Sequence, residues 1–179
     1  MQQRERFVET NGIRMKMAEV GSGIDLVFIH GLGWDHTLWS DAFVHYGDRY
    51  HVVAGDTRGH GESDKPTGPY SIRQFADDWL GALDELEIEK ACLVGFSQGG
   101  MIAMHLALDE PERFIGMILA STVCRTDIAA GGASSDRVAK LRDEGAEESA
   151  RNSAELIFSQ NFIKQHPDYI NSFVAKRAA

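Results

Sequence analysis

Cysteine, proline and long apolar segments are all scarce in this sequence, and each scarcity excludes a class of protein. The 179 residues include only two cysteines and four prolines. Two cysteines cannot build the disulfide framework of a small secreted domain. The longest apolar stretches, near Met101–Leu108 and Phe114–Ala120, are too short to span a bilayer. The N-terminal MQQRERFVETNG has no apolar segment of the secretory type, so we predict a cytoplasmic protein.

The charge balance is acidic, which excludes a further set of partners. The sequence has 18 Lys and Arg residues against 27 Asp and Glu residues, a formal net charge of −9. Nucleic acids and anionic membranes are held mainly by Lys and Arg side chains, so we predict neither as a partner. A small anionic substrate remains compatible, because one local positive group is enough to bind it. Since 43% of the residues are hydrophobic, the chain can form a sizeable core.

The first 126 residues alternate between strand-like and helix-like segments. Asn11-Gly12, between two strand-like segments, predicts a β-hairpin. Four later segments are short and apolar, as strands buried on both faces are, and a helical segment follows each of the first three. The strands are Asp25–His30, Tyr50–Asp56, Ala91–Phe96 and Phe114–Thr122, and the helices are Trp39–Tyr46, Ser71–Leu86 and Gly99–Leu108. This order predicts an α/β fold with a mostly parallel sheet and helices on both faces.

Beyond Thr126 the strand pattern disappears. Polar helical segments lie around Asp136–Glu144, Ala146–Phe158 and Asp168–Lys176. Such a region predicts a helical lid or insertion. We therefore divide the chain into a core domain, residues 1–126, and a partial helical cap, residues 127–179.

The pentapeptide Gly95-Phe96-Ser97-Gln98-Gly99 matches the pattern G-x-S-x-G. The pattern is informative here because a predicted strand precedes it and a predicted helix follows it. In such a tight turn the serine takes a strained backbone conformation, and side chains two residues away on either side would collide, so Gly95 and Gly99 are needed. Ser97 then stands at a helix N-terminus, where the helix dipole favours developing negative charge. These features predict a nucleophile; the alternative is an ordinary serine in a glycine-rich turn.

A second glycine-rich loop, His30-Gly31-Leu32-Gly33, follows the first buried strand. In folds with this kind of nucleophile turn, that loop supplies one N–H group of the oxyanion hole, and the residue after the nucleophile supplies the other. The predicted donors are therefore the backbone N–H groups of Leu32 and Gln98. Without Ser97, a plain glycine turn would be the better interpretation.

The remaining polar residues offer no complete triad. Residues 56–63 (DTRGHGES) are rich in glycine and polar groups, and we interpret them as a loop held by its own hydrogen bonds. His105 lies eight residues beyond Ser97 on the same helix, about 12 Å away at 1.5 Å per residue. His166 lies in the polar tail, and Asp127 could serve as an acid only if a histidine base were present.

Taken together, HGLG, DTRGHGES, VGFSQGGMIA and PERFIGMILAST resemble the α/β-hydrolase superfamily. From DTRGHGESDKPTGPYS onward the sequence is most similar to 3-oxoadipate enol-lactonase-like members, and residues 137–170 are similar to their helical cap. The resemblance implies Ser97 as nucleophile and Leu32 and Gln98 as oxyanion donors. It also implies that the sheet lacks the last two strands of that fold, which carry the family's acid and histidine. A serine nucleophile argues against dehalogenase or epoxide hydrolase chemistry.

The sequence thus predicts a serine esterase or lactonase that needs no metal or organic cofactor and acts on a small ester or lactone. Two alternatives remain: a truncated pseudoenzyme or small-molecule binding protein, and an acyltransferase or perhydrolase on the same fold. The strand Phe114–Thr122 has the composition of a central strand yet would form a sheet edge. It therefore predicts pairing with a second copy of the chain or with a completing chain.

Overall fold

The computed structural model describes residues 3–124 and 145–178. The chain divides into two compact units, with the boundary after Cys124. The helix predicted around Asp136–Glu144 and the candidate acid Asp127 lie outside the described residues.

The first unit is built on one six-stranded sheet with the order β1-β2-β4-β3-β5-β6. Strands β1 and β2 form an antiparallel hairpin, and β2 also pairs antiparallel with β4. The pairs β3–β4, β3–β5 and β5–β6 are parallel, which confirms the predicted mostly parallel sheet. The strand bounds are β1 Arg4–Thr10, β2 Ile13–Val20, β3 Asp25–Ile29, β4 His51–Gly55, β5 Ala91–Phe96 and β6 Phe114–Ala120.

Helices cover both faces of this sheet. A 3₁₀ turn (His36–Trp39) and α1 (Ser40–Tyr46) follow β3, α2 (Ile72–Glu85) follows β4, and α3 (Gln98–Asp109) follows β5. Successive side chains of a strand point to opposite faces, so each strand contributes to two cores. One core joins Val27, Ile29 and Val53 to residues of α2 and α3. The other joins Phe28, Val52 and Ala54 to Phe43 of α1.

Local turn and cap signals form as the sequence predicts. Asn11 and Gly12 have φ values of 45° and 74°, which suits a two-residue hairpin turn of the type that asparagine and glycine favour. Ser71 caps α2, because its hydroxyl accepts a hydrogen bond from the Gln74 N–H at 3.1 Å. The hairpin and α2 are therefore specified locally.

Within residues 145–178, the second unit forms the helices α4 (Ala146–Ile157), α5 (Gln160–Gln165) and α6 (Pro167–Ala178). Helix α5 is not predicted from the sequence pattern. It begins after Ser159, whose hydroxyl accepts a hydrogen bond from the Phe162 N–H. The ring of Phe158 contacts the rings of Phe162, Tyr169 and Phe173, and the ring of Phe162 contacts that of Tyr169, at centroid distances of 5.2–5.7 Å. Across residues 3–124 and 145–178, no helix is long and apolar enough to cross a membrane.

Strand β6 lies at one edge of the sheet and pairs with β5 alone within the described sheet. Its apolar side chains are unusually accessible: Ile115 is 59% exposed, Ile118 58% and Leu119 41%. Since these residues lie on both faces of the strand, neither face is fully covered.

Candidate active site

Ser97 occupies a sharp turn between β5 and α3. Its backbone has φ 52° and ψ −115°, a region that residues with a side chain rarely adopt. Such a conformation costs on the order of 1–3 kcal/mol and persists only where the surroundings fix it. The side chain is half-buried and stands at the first turn of α3, where the N–H groups lack partners within the helix.

The end of β6 holds this strained residue from both sides of its backbone. The Ser97 N–H donates to the Ala120 carbonyl oxygen at 2.9 Å. The Ser97 carbonyl oxygen accepts from the Thr122 hydroxyl at 2.6 Å and from the Gly100 N–H at 3.0 Å. Thr122 is not among the residues predicted for the site. The only indication of its role in the sequence is that it follows β6, the strand that pairs with β5.

The glycines around the turn are required by close backbone approach. A Cβ atom on Gly95 would lie 2.5 Å from the Gly99 carbonyl oxygen, and one on Gly99 would lie 2.1 Å from the Ile29 carbonyl oxygen. A Cβ on Gly31 would lie 3.1 Å from the Ser97 Cβ. The first two contacts involve main-chain atoms, which cannot move aside. Glycine at positions 95 and 99 therefore allows α3 to pack against the end of β3.

The two predicted oxyanion donors flank Ser97 from different elements. Gln98 is the first residue of α3, directly after Ser97. Leu32 follows Gly31, the glycine that lies against Ser97, and its side chain is 51% exposed. The loop turns back at once, because the Trp34 N–H donates to the Gly31 carbonyl oxygen at 3.2 Å and Gly33 has a φ of 72°. Both donors thus belong to segments that reach the same serine.

His30 anchors the first end of this loop. Its ring is completely buried. Nε2 lies 2.9 Å from the Thr57 backbone N–H, and Nδ1 lies 2.8 Å from the Gly31 carbonyl oxygen. Burial, with a smaller contribution from the nearby His60, lowers the pKa of His30 to about 4. The ring is therefore neutral at neutral pH.

His36 anchors the other end of the loop. Its backbone N–H and its Nδ1 each lie 2.7 Å from Oδ1 of Asp56, and both groups are buried. Burial acts against the charged forms, but the hydrogen bonds between the two side chains prevail. They raise the pKa of His36 and lower the pKa of Asp56. Residues 56 and 57, at the end of β4, thus hold both ends of the segment from His30 to His36.

The loop after Asp56 is held by its own hydrogen bonds, as expected from its glycine-rich and polar sequence. The second oxygen of Asp56 accepts from the Glu62 N–H at 2.8 Å, and the Ser63 hydroxyl donates to the Asp56 carbonyl oxygen. Arg58 forms a buried two-point pair with Asp78 of α2, with both N–O distances at 2.7 Å. The Nδ1 of His60 lies 3.0 Å from the Arg58 carbonyl oxygen. The Ser, His and Asp residues of this loop therefore have structural partners.

The two histidines that follow Ser97 are placed as the sequence suggested. His105 lies on α3, two turns beyond Ser97. His166 belongs to the second unit, between α5 and α6, where its ring lies 4.4 Å from the ring of Phe162. Neither position provides a strand end of the kind that carries Ser97.

A shallow cavity of about 640 Å³ lies at the opposite end of β5 and β6. Five carboxylates and one arginine line it: Asp84, Glu87, Glu89, Glu110, Glu112 and Arg113. Arg113 forms ion pairs with Asp84 and Glu110 and donates to the Ile88 carbonyl oxygen. These contacts tie the end of α2 to the start of β6, so we attribute a structural role to this arginine.

Comparison with known proteins identifies the family of this chain. Residues 26–175 match the family of proteins with the alpha/beta hydrolase fold, and the chain therefore belongs to that family. The matched range includes the loop at His30–Gly33 and the turn at Ser97.

Three similar proteins extend this result. The chain is 35% identical over 145 residues to "3-oxoadipate enol-lactonase 2" of Acinetobacter baylyi, covering 81% of this chain and 54% of the relative. Among solved structures, the enol-lactonase from Burkholderia xenovorans LB400 superposes with a TM-score of 0.88 at 26% identity, covering 97% of this chain and 67% of that one. Est816, an N-acyl homoserine lactone degrading enzyme, gives a TM-score of 0.85 at 31% identity, covering 97% and 66%. The chain thus spans about half the length of the curated relative.

Proposed function

We propose that this chain carries the nucleophile and oxyanion hole of a serine hydrolase acting on a small carboxylic ester or lactone. The observation that carries the proposal is the backbone of Ser97, which is strained, held on both sides, and placed at the N-terminus of α3. An ordinary serine does not require such a conformation. Strain of this kind is typical of functional sites.

In the proposed reaction, Ser97 Oγ attacks the substrate carbonyl carbon and its proton passes to a general base. The oxyanion accepts hydrogen bonds from the N–H groups of Leu32 and Gln98. The C–O bond then breaks as the protonated base gives its proton to the leaving alcohol oxygen, and water hydrolyses the acyl-enzyme to release the acid and regenerate Ser97. We propose neither His105 nor His166 as the base, because neither lies at the end of a strand.

The names of the relatives support a lactone as the substrate. The curated relative is called a 3-oxoadipate enol-lactonase, and the two solved structures are of an enol-lactonase and of an N-acyl homoserine lactone degrading enzyme. The serine at position 97 supports an ester or lactone over an epoxide, because a serine nucleophile forms an acyl-enzyme that water can cleave. The enol-lactone of 3-oxoadipate is therefore the first substrate to test.

Replacement of the nucleophile tests this proposal. In the protein expressed from its complete gene, Ser97→Ala should abolish hydrolysis of p-nitrophenyl acetate and of lactones, and should abolish labelling by a fluorophosphonate probe. Ser40→Ala is the matched control, because the Ser40 hydroxyl is exposed and donates only to the Thr37 carbonyl oxygen. Full activity in Ser97→Ala would refute the proposal. In the wild-type protein, labelling without turnover would indicate an incomplete enzyme, and an absence of labelling would indicate a binding protein.

We propose in addition that the edge of β6 pairs with a second copy of this chain or with a completing chain. The exposure of Ile115, Ile118 and Leu119 supports this. An edge strand also presents unpaired N–H and C=O groups, which favour addition of another strand.

A further inference from the structure

The carbonyl of Gly31 is fixed by two hydrogen bonds. It accepts from the Trp34 N–H at 3.2 Å, and His30 Nδ1 lies 2.8 Å from it. A trans peptide group is planar, so its C=O and the N–H of the following residue point in opposite directions. Fixing the direction of the Gly31 carbonyl therefore fixes the direction of the Leu32 N–H.

The contact between His30 and Gly31 requires a particular tautomer. A carbonyl oxygen can only accept, so Nδ1 must carry the proton. Nε2 lies 2.9 Å from the Thr57 backbone N–H, which can only donate, so Nε2 must carry the lone pair. The same ring therefore satisfies Thr57 and Gly31 at once only as the neutral Nδ1–H form. Burial lowers the pKa of His30 to about 4, so this form persists at neutral pH.

The peptide that His30 contacts lies next to the proposed nucleophile. A Cβ on Gly31 would be 3.1 Å from the Ser97 Cβ. At this distance a rotation of the Gly31–Leu32 peptide would change which atoms face Ser97. A side chain that fixes this rotation therefore acts on the oxyanion hole without touching the substrate.

We propose that His30 is a positioning residue, whose Nδ1–H orients the Gly31–Leu32 peptide so that the Leu32 N–H faces the oxyanion formed at Ser97. This inference rests on the proposed function and adds a role for a residue outside the nucleophile and the donors. His30 is expected to act on the transition state and to leave substrate binding largely unchanged.

Two substitutions separate the two hydrogen bonds of the ring. In His30→Asn the side-chain amide can take the place of Nδ1 and keep the bond to Gly31, while Thr57 loses its acceptor. In His30→Gln the amide reaches the place of Nε2, which keeps the acceptor for Thr57 and gives up the bond to Gly31. His60→Phe is the matched control, because it changes a neighbouring aromatic ring, 5.1 Å from that of His30, and leaves both hydrogen bonds of His30 in place. The Nδ1 of His60 lies against the Arg58 carbonyl oxygen.

We expect His30→Gln to lower kcat for p-nitrophenyl acetate by about 10²-fold, comparable to the loss of an oxyanion donor, with KM little changed. His30→Asn should retain kcat within about 10-fold, and His60→Phe should resemble the wild type. The affinity for phenylboronic acid, which forms a tetrahedral adduct with serine, should fall with kcat across the series. Equal kcat losses in the Asn and Gln variants, tracking their unfolding midpoints, would show a merely structural role and overturn the inference.

A measurement on the wild-type protein needs no variant to fold. The ¹⁵N chemical shifts of the His30 ring should show a protonated Nδ1 and an unprotonated Nε2, and the Leu32 amide proton should move downfield when phenylboronic acid binds. The opposite tautomer would overturn the inference. The proposed function is tested separately: if Ser97→Ala abolishes hydrolysis while His30→Gln matches the wild type, only the role of His30 fails.

Discussion

The buried ring of His30 makes the stability of the fold depend on pH. In the unfolded chain the residue has a pKa near 6.5, whereas burial lowers the pKa in the folded protein to about 4. Between these values the unfolded state binds a proton that the folded state does not, so the free energy of unfolding decreases as the pH falls. At about 1.36 kcal/mol per pH unit, the contribution is on the order of 3 kcal/mol once the pH is below 4, and about 2 kcal/mol at pH 5.

Other buried groups respond to pH as well, and their signs differ. Despite the cost of burial, the hydrogen bond with Asp56 raises the pKa of His36, so its contribution is present below the unfolded pKa and is lost as the pH rises through the folded value. Burial opposes ionisation of Asp56, but hydrogen bonds from His36 and Glu62 lower its pKa; its contribution is lost as the pH falls through the folded value. These contributions are present in both the wild type and a His30 variant, so they cancel in the difference.

The assay is urea unfolding of the wild type and of His30→Asn at several pH values between 7.5 and 4.5. We expect the wild type to lose about 2 kcal/mol more than the variant between pH 7.5 and pH 5, since asparagine does not titrate. The variant is less stable at pH 7.5, and the two curves should converge as the pH falls. Parallel curves would mean that the His30 ring is solvated or already protonated, and the tautomer argument would then be wrong.

Two further predictions concern the nucleophile turn and the sheet edge. Gly99→Ala places a Cβ 2.1 Å from the Ile29 carbonyl oxygen. It should lower the free energy of unfolding, measured in urea, by at least ~2 kcal/mol. The control Gly116→Ala should lower it much less, because its Cβ meets only Cys92 Sγ at 3.3 Å. Equal effects would show that α3 can move away from β3. Residues 1–179 at tens of micromolar should self-associate in light scattering, and Ile118→Lys on β6 should reduce this more than Ile24→Lys, at a residue similarly exposed but outside the strands. A monomer at all concentrations would contradict pairing of β6 with a second copy of this chain.

The strands and helices of the first unit could be predicted because their signals are local. A two-residue Asn-Gly turn, short apolar strands and a capped amphipathic helix each reflect the backbone preferences of a few adjacent residues. Residues 91–96 form β5 as predicted, and α2 begins directly after Ser71. The helix Gln160–Gln165 was missed because six residues are too few to show a helical period.

The residues of the candidate site likewise differ in whether their sequence signals are local. Gly95, Ser97 and Gly99 could be found because one tight turn imposes all three within five residues. His30 and His36 could not, since their roles depend on Asp56 and Thr57, which are 20–27 residues away in the sequence. Nothing local distinguishes a histidine that orients a peptide from one that fills a core. The only available signal was that His30 directly precedes the glycine of the oxyanion loop.

The strand order explains why the supporting residues are distant in sequence. Around the site the order is β4-β3-β5-β6. The two inner strands lead into the proposed oxyanion loop and nucleophile turn, and the two outer strands end in the groups that hold them. Thr57, after β4, binds His30, while Ala120 and Thr122, at the end of β6, bind the backbone of Ser97. Parallel strands bring their carboxyl ends to one edge of the sheet, so each loop obtains its partners from the neighbouring strand. The strained conformation of Ser97 is therefore maintained while β6 remains paired with β5. A change that loosens this edge strand should lower activity without contacting the substrate.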